Sequence, residues 1–512
     1  MVGHTISPRL KEGGMMKHIL SLGLVVAVVV GVSMTMPGSH AEEAPKISLS
    51  SKSKVCLGCH SRFTPGLVAD WRTSRHATVT PAEALEKPDL ERRVSAESIP
   101  DELAQTVVSC YECHSLNVEQ HEDSFDHMGT TVNVVVSPND CQTCHPVEVE
   151  QYSHSKKAYA PKNLMENPIY HTLTDVVIGV KTVESGELIS QPPSQLTEND
   201  VCLGCHGTQV EVKGMKTVTT SMGELSLPDL ANWPNQGVGR INPDGSRGAC
   251  TSCHTRHGFS LKEARSFYTC AQCHGDPDVP AAPVYKVSKH GNIFAARHQE
   301  WTLDSVPWVV GQDFTAPTCA TCHNSLLATH DGETIIERTH DFGERLYLRI
   351  FGLIYSHPQP KSGDTTIIEN ADGLPLPTTF TGDLAQEYLI DEAEQQRRLE
   401  RMKTVCKSCH STSLTDQHFV RFENTVKETD QMVLAATQLM VDAWEQTLED
   451  NSNPFDEGIE QLWIKQWLFY ANTVRYASAM TGGYKYTAFK DGWWELTNIL
   501  QEMHDKISAK QK

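Results

Sequence analysis

All sixteen cysteines of this 512-residue chain fall into eight Cys-x-x-Cys-His motifs, and none is left over. Two thiols at this spacing can each bond to a porphyrin vinyl group, and the histidine that follows can bind the iron axially. A zinc site would combine two thiol pairs and needs no histidine after each, and a disulfide framework would not repeat the spacing. The sequence therefore predicts eight covalently attached haem c groups. The motifs are Cys56/Cys59/His60, Cys110/Cys113/His114, Cys141/Cys144/His145, Cys202/Cys205/His206, Cys250/Cys253/His254, Cys270/Cys273/His274, Cys319/Cys322/His323 and Cys406/Cys409/His410.

The chain has 24 histidines, and the motifs use eight of them as proximal iron ligands. An iron with histidine on both faces only passes electrons, whereas an iron with an open face can bind a small substrate. The remaining histidines outnumber the distal positions, so their supply does not decide whether one face is open. His121 and His127 are alternatives near the second motif. The candidate distal ligands are His76, His121, His127, His154, His171, His290, His298, His330, His340 and His418.

His257 differs from these because it lies three residues after the proximal His254. On a helix the two side chains are separated by about 300° and share one face, so they cannot bind one iron from opposite sides. His257 therefore serves a neighbouring haem as a ligand, acts as an acid/base group in that haem's open pocket, or lies at the surface.

Two stretches of the chain resemble the octahaem hydroxylamine oxidoreductase family. The first runs from 237 to 257 and reads GVGRINPDGS followed by CTSCHTRH, and the second runs from 268 to 291 and contains YTCAQCHGDPD and SKHG. The order of the motifs and the helical C-terminal part extend the resemblance over the mature chain. It implies a mainly α fold, a multihaem cytochrome c body organised around eight covalently bound haems with a C-terminal long-helix bundle.

The same resemblance implies distinct roles for the haems. By order of motifs, Cys202, Cys205 and His206 would hold the one reactive haem, and the other seven would be bis-histidine electron carriers. His257 would be its distal acid/base residue, with Tyr347 as a pocket tyrosine. Asp244 is the candidate for the aspartate that accompanies the histidine.

The direction of the reaction depends on a tyrosine near the C-terminus. Oxidising members of the family cross-link a tyrosine of a neighbouring subunit to the reactive haem, and Tyr486 or Tyr484 is the candidate here, although segment 482–494 departs from the family pattern. We expect a homotrimer that oxidises hydroxylamine or hydrazine. The alternatives are the same scaffold reducing nitrite or hydroxylamine, and a cytochrome that only transfers electrons.

The elements between the motifs are mostly helical, with strand-like alternation at 130–136 and 210–220. Asp383 can cap a helix over 384–404, and Thr429 or Asp430 can begin an amphipathic helix whose apolar face includes residues 433, 436, 440 and 443. Apolar residues are only 39% of the chain, so we expect buried haem to supply most of the core. We divide the chain into a signal peptide (1–41), an octahaem domain (42–425) and a helical region for packing and oligomerisation (426–512).

The N-terminus and the charge indicate where the protein works. Lys17 and His18 precede an apolar run at 19–32 that is too short to span a bilayer, which is typical of a secretory signal and predicts a periplasmic protein without a membrane span. A net charge of −20 disfavours nucleic acid. The expected partners are a small nitrogenous substrate and a small cytochrome or quinone-linked redox protein.

Overall fold

The computed structural model describes residues 48–221, 223–275, 277–483 and 488–512. These residues belong to one unit that extends from Ile47 to Lys512. The predicted signal peptide at 1–41 lies outside the described residues. Within the described residues, no helix is both long enough and apolar enough to cross a membrane.

Helices dominate the described residues, as predicted. Several begin with proline at the first or second position, where the missing N–H costs nothing and the fixed φ suits the helix. The α-helices are Ser51–Phe63, Pro65–Thr73, Pro81–Leu85, Asp101–Ala104, Cys110–His114, Pro138–Gln142, Pro146–His154, Ala160–Met165, Pro168–Ile178, Gln195–Asp200, Cys202–His206, Leu261–Arg265, Phe267–Ala271, Ala281–Val287, Lys289–Arg297, Cys319–His323, Glu392–Lys407, Thr412–Glu445, Gly458–Ile464, Asn472–Ala479 and Trp493–Lys510. Shorter 3₁₀ turns are Arg75–Ala77, Val118–Gln120, Cys250–Ser252, His298–Glu300 and Gln386–Tyr388.

The strands of the described residues form small antiparallel pairs. The alternation at 130–136 corresponds to the second strand of one pair, and that at 210–220 to the first strand of the longest pair, so both predicted strands are present. The pairs are Ser124–His127 with Thr130–Asn133, Val180–Glu184 with Glu187–Gln191, Glu211–Thr220 with Gly223–Ala231, Leu327–Ala328 with Thr334–Ile336, and Leu348–Arg349 with His357–Pro358.

The C-terminal helices pack around an apolar core of their own. The helix Thr412–Glu445 buries Val433, Ala436, Met440 and Ala443, which is the predicted face. Its partners are the continuous helical segment 458–479, with one π-helical turn at its centre, and the helix Trp493–Lys510. The longest helix passes Thr429 and Asp430 without a break, so the predicted boundary at 425 lies inside it. The C-terminal region is therefore continuous with the eighth motif.

The predicted helix over 384–404 starts later than expected. Asp383 does not cap it, because the Asp383 side chain accepts a hydrogen bond from the Thr381 hydroxyl within a local turn. Asp391 is the N-cap instead, and its Oδ1 accepts from the Glu394 N–H at 2.9 Å. The helix Glu392–Lys407 then leads into Cys406 as predicted.

Candidate functional site

The cysteine motifs are short helical turns, and most of their thiols lie around one shared interior space. All sixteen cysteines are free thiols, which excludes a disulfide framework. One cavity of about 1630 Å³ is lined by cysteines of the second, third, fifth, sixth, seventh and eighth motifs and by Gly204 of the fourth. It exceeds the range of about 300–1,000 Å³ that is usual for one small-molecule site. A continuous cavity lined by thiols and imidazoles fits several covalently held haems.

Four motif histidines each face a second histidine from a distant part of the chain. The ring centres of these pairs are 6.0 to 6.5 Å apart. Two imidazole nitrogens that bind one metal ion at about 2.0–2.1 Å would place the ring centres about 6 Å apart. The structure thus brings four predicted distal ligands into position. The pairs are His60 with His127, His145 with His76, His254 with His340, and His410 with His290.

The buried members of these pairs are held in the neutral form. Burial lowers the pKa of His76 and His254 to about 4 and that of His340 to about 3, with neighbouring imidazoles adding to the effect. Only the neutral imidazole can bind a metal. These surroundings therefore suit ligands.

His121 does not bind iron in this arrangement. Its Nδ1 lies 3.1 Å from Asp123 and its Nε2 lies 3.2 Å from Asp140, all with buried side chains. Burial alone would lower the pKa of His121, but hydrogen bonds to the two carboxylates raise it to about 10. The carboxylates beside the two ring nitrogens of His121 argue against it as a ligand, and His127 is the alternative that faces a motif histidine.

Asp244 belongs to the same buried cluster. Its Oδ2 accepts hydrogen bonds from Ser137 Oγ at 2.6 Å and Asn139 Nδ2 at 2.9 Å, and it lies 3.9 Å from His121 Nε2. These neighbours flank the third motif. The structure therefore does not support Asp244 as the aspartate of a reactive pocket at the fourth motif.

His257 lies near the second motif. It has a left-handed backbone with φ 70°. Burial lowers its pKa, and the next largest influence is the charge of His114, followed by Arg256 and Asp70. Of the possibilities left open by the sequence, this position favours a ligand toward the second motif, and it argues against an acid/base role at the fourth.

Tyr347 lies beside the eighth motif. Its hydroxyl donates to Glu423 Oε1 at 3.1 Å, and its ring packs on Phe419 and Phe422 in a cluster that includes Cys406. The resemblance suggested a pocket tyrosine at the fourth motif, and the structure puts Tyr347 elsewhere. Tyr484 and Tyr486 lie outside the described residues.

The other candidate histidines face various polar groups rather than a motif imidazole at this spacing. His154 is 68% exposed and lies 3.6 Å from Glu150, and His171 lies 3.9 Å from Asp175. His298 Nδ1 donates to the Phe294 carbonyl at 2.8 Å, which leaves its Nε2 available. His330 contacts Gln312, and His418 lies within electrostatic range of His410.

The fourth motif is enclosed by the stretch that carries the family resemblance. Gly207, directly after His206, has φ +109°, and a Cβ on Gly237 would stand 2.2 Å from the Gly207 nitrogen. A Cβ on Gly239 would stand 2.2 Å from the Pro161 side chain and 3.0 Å from the His206 carbonyl oxygen. His206 Nδ1 hydrogen-bonds to the Ala160 carbonyl at 3.1 Å, which fixes the ring and leaves Nε2 for iron.

Asp278 is the acidic group with the strongest effect on Cys202, and the sequence did not single it out as a candidate. Burial raises its pKa, and it acts electrostatically on Cys202 and His206. Tyr476 lies within electrostatic range of both Asp278 and Arg349, and burial raises the tyrosine pKa. The HGDPD sequence after the sixth motif was part of the resemblance and could have indicated Asp278.

A buried histidine, His357, lies next to Arg349. His357 pairs across the strands with Arg349, and burial lowers the His357 pKa to about 3. Its Nε2 is buried and has no hydrogen-bond partner among the described residues. The structure thus places an acid within electrostatic range of the fourth motif, a phenol within range of that acid, and a guanidinium within range of the phenol and paired across the strands with a neutral imidazole.

Contacts between cysteines give the order in which the motifs adjoin. The thiols that influence each other's pKa most strongly are Cys141 with Cys250, Cys205 with Cys273, and Cys270 with Cys319. Other motif pairs lie within electrostatic range. The path runs through motifs one, two, three, five, six, seven and eight, and the fourth motif branches from the sixth. The motif pairs within electrostatic range that complete this path are Cys56 with Cys110, Cys113 with Cys144, Cys253 with Cys270, and Cys322 with Cys406.

Two of the predicted attachment cysteines are exposed and lie outside the cavity. Cys59 of the first motif and Cys409 of the eighth are exposed and do not line the cavity, whereas the exposed Cys273 does line it. The reason is their place at the two ends of the path, where a neighbouring motif packs on one side only. Haem attachment through these two cysteines stays a prediction, which rests on the intact Cys-x-x-Cys-His spacing.

Comparisons with known proteins agree with covalent haem attachment at the Cys-x-x-Cys-His motifs. The family described as "Seven times multi-haem cytochrome CxxCH" matches residues 242–338, and "Cytochrome c554 and c-prime" matches residues 140–226. A solved structure described as "Hypothetical multiheme protein" is 42% identical to this chain, with a TM-score of 0.84. The match covers 91% of this chain and 96% of that one.

Two further similar proteins are from Kuenenia stuttgartiensis. A probable nitrite reductase-hydroxylamine oxidoreductase fusion protein is 23% identical over 374 residues, which cover 70% of this chain and about a third (34%) of that protein's length. A reducing HAO-like protein complex shares the fold at a TM-score of 0.59 and 16% identity, covering 90% of this chain and 85% of that chain. The chain belongs to the multihaem c-type cytochromes and is similar to hydroxylamine oxidoreductase-like members. This multihaem cytochrome binds haem c covalently through its Cys-x-x-Cys-His motifs.

These similarities confirm the predicted resemblance and fold class. The resemblance assigned four side chains to the reactive pocket. Three of them lie in the described part of the chain, and the structure does not bring these three together. His257, Asp244 and Tyr347 lie near the second, third and eighth motifs, respectively. The fourth, Tyr486, lies outside the described residues. Of the groups described above, Asp278 is the one that acts electrostatically on the fourth motif.

Proposed function

We propose that this multihaem cytochrome is an extracytoplasmic oxidoreductase of small nitrogen compounds that reduces nitrite and hydroxylamine at its fourth motif. Each of the eight motifs holds one haem, and the fourth is the reactive one. Electrons come from a small cytochrome or a quinone-linked protein. The observation that carries the proposal is that Asp278, whose pKa is raised by burial, lies within electrostatic range of Cys202 and His206.

The bound haem would supply the iron on which the nitrogen atom sits and the path for electrons. The chain's own residues must then deliver protons. Reduction of hydroxylamine takes up two electrons and two protons and yields ammonia and water, and reduction of nitrite likewise releases its oxygens as water. Burial shifts Asp278 toward its protonated form, so it can donate a proton.

Charge at the site favours the reductive direction over the oxidative one that the resemblance first suggested. Arg349 and Tyr476 stand in electrostatic range of one another, and a guanidinium favours approach of the nitrite anion. Oxidation would need a base with a pKa near neutrality, and His257 lies toward the second motif instead. The names of the relatives also include a nitrite reductase and a reducing complex.

Oxidation of hydroxylamine or hydrazine is the competing proposal, and it requires a tyrosine cross-link between subunits of a homotrimer. A denaturing gel separates the two. The reductive proposal predicts a haem-staining band at the mass of one chain. A haem-staining band at trimer mass that survives reduction would contradict it.

Turnover of Asp278→Asn tests the site. With a reduced viologen dye as electron donor, the variant should reduce nitrite and hydroxylamine about 10²- to 10⁴-fold more slowly than the wild type, because the proton donor is lost. The haem content, measured by intact mass, should be unchanged.

The matched control is Asp331→Asn, an exposed aspartate in a loop far along the chain from the fourth motif. It should retain wild-type turnover. If Asp278→Asn reduces both substrates at the wild-type rate, or if the wild type oxidises hydroxylamine but reduces neither substrate, the proposal is wrong.

A further inference from the structure

Three segments of the chain share one local design that delivers a side chain to the interior. In each segment the first residue is aromatic, the fourth is serine, the fifth is basic and the seventh is alanine or glycine. The sixth residue, here called the delivered residue, is the one whose side chain extends into the interior. They are 71–77, 152–158 and 285–291. In each, the serine N–H donates to the carbonyl of the aromatic residue. The bonds join Ser74 to Trp71, Ser155 to Tyr152 and Ser288 to Tyr285, at 2.9, 2.9 and 3.0 Å.

The rest of each segment is also alike. The serines are buried, and the last position is occupied by a buried alanine or by glycine because the backbone there packs closely against its surroundings. A Cβ on Gly291 would stand 1.9 Å from the Tyr285 carbonyl oxygen. The shared sequence therefore produces a shared geometry, in which the sixth position points toward a motif.

In two of the segments the delivered residue is a histidine that faces a motif histidine. His76 faces His145 of the third motif with ring centres 6.3 Å apart, and His290 faces His410 of the eighth at 6.0 Å. The same position of the remaining segment holds Lys157.

Lys157 faces a motif histidine as the two histidines do. Its Nζ lies 3.5 Å from Nε2 of His274 in the sixth motif. Nε2 is the atom through which a motif histidine binds iron, and two nitrogens that share one metal ion lie about 4 Å apart. The Lys157 amine therefore occupies the position of the opposite axial ligand.

The neighbouring histidine of the segment does not compete for this position. His154 is 68% exposed and its Nδ1 points to Glu150 at 3.6 Å. Lys157 instead extends toward the interior, with Nζ 4.9 Å from the centre of the Phe342 ring. A metal ion competes with the proton for the lone pair of the amine, so binding to iron releases that proton and makes the lysine a ligand.

We propose that Lys157 is the distal axial ligand of the haem held by the sixth motif, which is thereby a histidine–lysine haem among bis-histidine ones. The sixth motif adjoins the fourth, fifth and seventh. A saturated amine is a harder donor than imidazole and stabilises ferric iron, and the axial ligand sets the haem potential. The haem that connects the reactive branch to the main path thus has a lower potential than its neighbours.

Spectroscopy of the oxidised holoprotein tests this assignment independently of turnover and therefore of the proposed function. Near-infrared magnetic circular dichroism separates imidazole–amine from bis-imidazole haems by the position of the charge-transfer band. The wild type should show one imidazole–amine haem. Lys157→His should convert that band to the bis-imidazole position, and Lys157→Ala should remove it and add one high-spin haem.

Lys156→Ala is the matched control, since Lys156 donates to Gln359 rather than facing a motif histidine, and it should keep the wild-type spectrum. If Lys157→Ala prevents folding, Lys157→His still decides the assignment because it restores the residue of the other two segments. A wild type without an imidazole–amine band, or variants of Lys157 that change only turnover, would overturn the proposal and make Lys157 a charged group of the reactive pocket.

Discussion

At the scale of single residues, buried histidines of this protein are neutral in one place and positively charged in another, and the neighbouring groups decide which form is present. His76 is buried among other imidazoles, which together with burial hold its pKa near 4 and keep it neutral. His121 is also a buried side chain, yet Asp123 and Asp140 raise its pKa to about 10. The first can bind a metal, and the second is the cation of a buried ion cluster.

The His121 cluster predicts a dependence of stability on both sequence and pH. His121→Gln should lower the free energy of unfolding of the holoprotein by about 3–5 kcal/mol at neutral pH, because buried carboxylates lose their cation. Denaturant titration followed by circular dichroism measures this. His504→Gln, at an exposed histidine beside Asp505, should change it by less than about 1 kcal/mol.

The pH dependence follows from the sign of the shift. The folded pKa of His121 is above its ordinary value of 6.5, so its contribution is fully present below pH 6.5 and is lost as the pH rises through about 10. The stability difference between wild type and His121→Gln should therefore shrink between these values. A difference that grows with rising pH would contradict the cluster.

At the scale of elements, glycines allow the 237–240 segment to lie directly on the fourth motif. A Cβ on Gly237 would stand 2.2 Å from the Gly207 nitrogen and 2.3 Å from the Gly207 Cα, and both of these atoms belong to the backbone. Neither side can yield without moving the motif.

Gly237→Ala should therefore displace the segment, change the absorption spectrum of the reactive haem and lower turnover by at least tenfold. Gly66→Ala is the control, because nothing lies within 4 Å of its Cβ and it is inside the helix Pro65–Thr73. That control should leave turnover unchanged and stabilise the protein by up to about 1 kcal/mol. Equal effects of the two substitutions would show that the close packing at Gly237 has no special role.

The sequence predicted the elements that depend on local patterns. The motifs, the strands near 130 and 210, and the buried face at Val433 and Met440 follow from spacing and periodicity. The pairing of His254 with His340 could not be predicted in this way, because it depends on how segments distant in sequence wrap around haem. The roles taken from family resemblance failed for Asp244 and Tyr347 for the same reason.

At the scale of the whole molecule, the motifs form a path with one branch. The C-terminal bundle has an apolar core with Trp463 at its centre, whose Nε1 donates to Thr437 Oγ1 at 3.0 Å. The motif-bearing part instead encloses the cavity of about 1630 Å³. This part also has smaller apolar clusters, beside which bound haem would fill the cavity, and the branch ends at the fourth motif within electrostatic range of Asp278.

The most direct test of this account is electron paramagnetic resonance of the oxidised holoprotein with nitrite added, for the wild type and for a Cys202→Ser, Cys205→Ser double variant. We predict one high-spin ferric signal in the wild type that nitrite converts to low spin while the other haems stay unchanged. The double variant should lack one haem by mass and also lack this signal. A nitrite-sensitive high-spin signal that persists in the double variant, or no haem in the wild type that responds to nitrite, would contradict the assignment of the fourth motif as the reactive site.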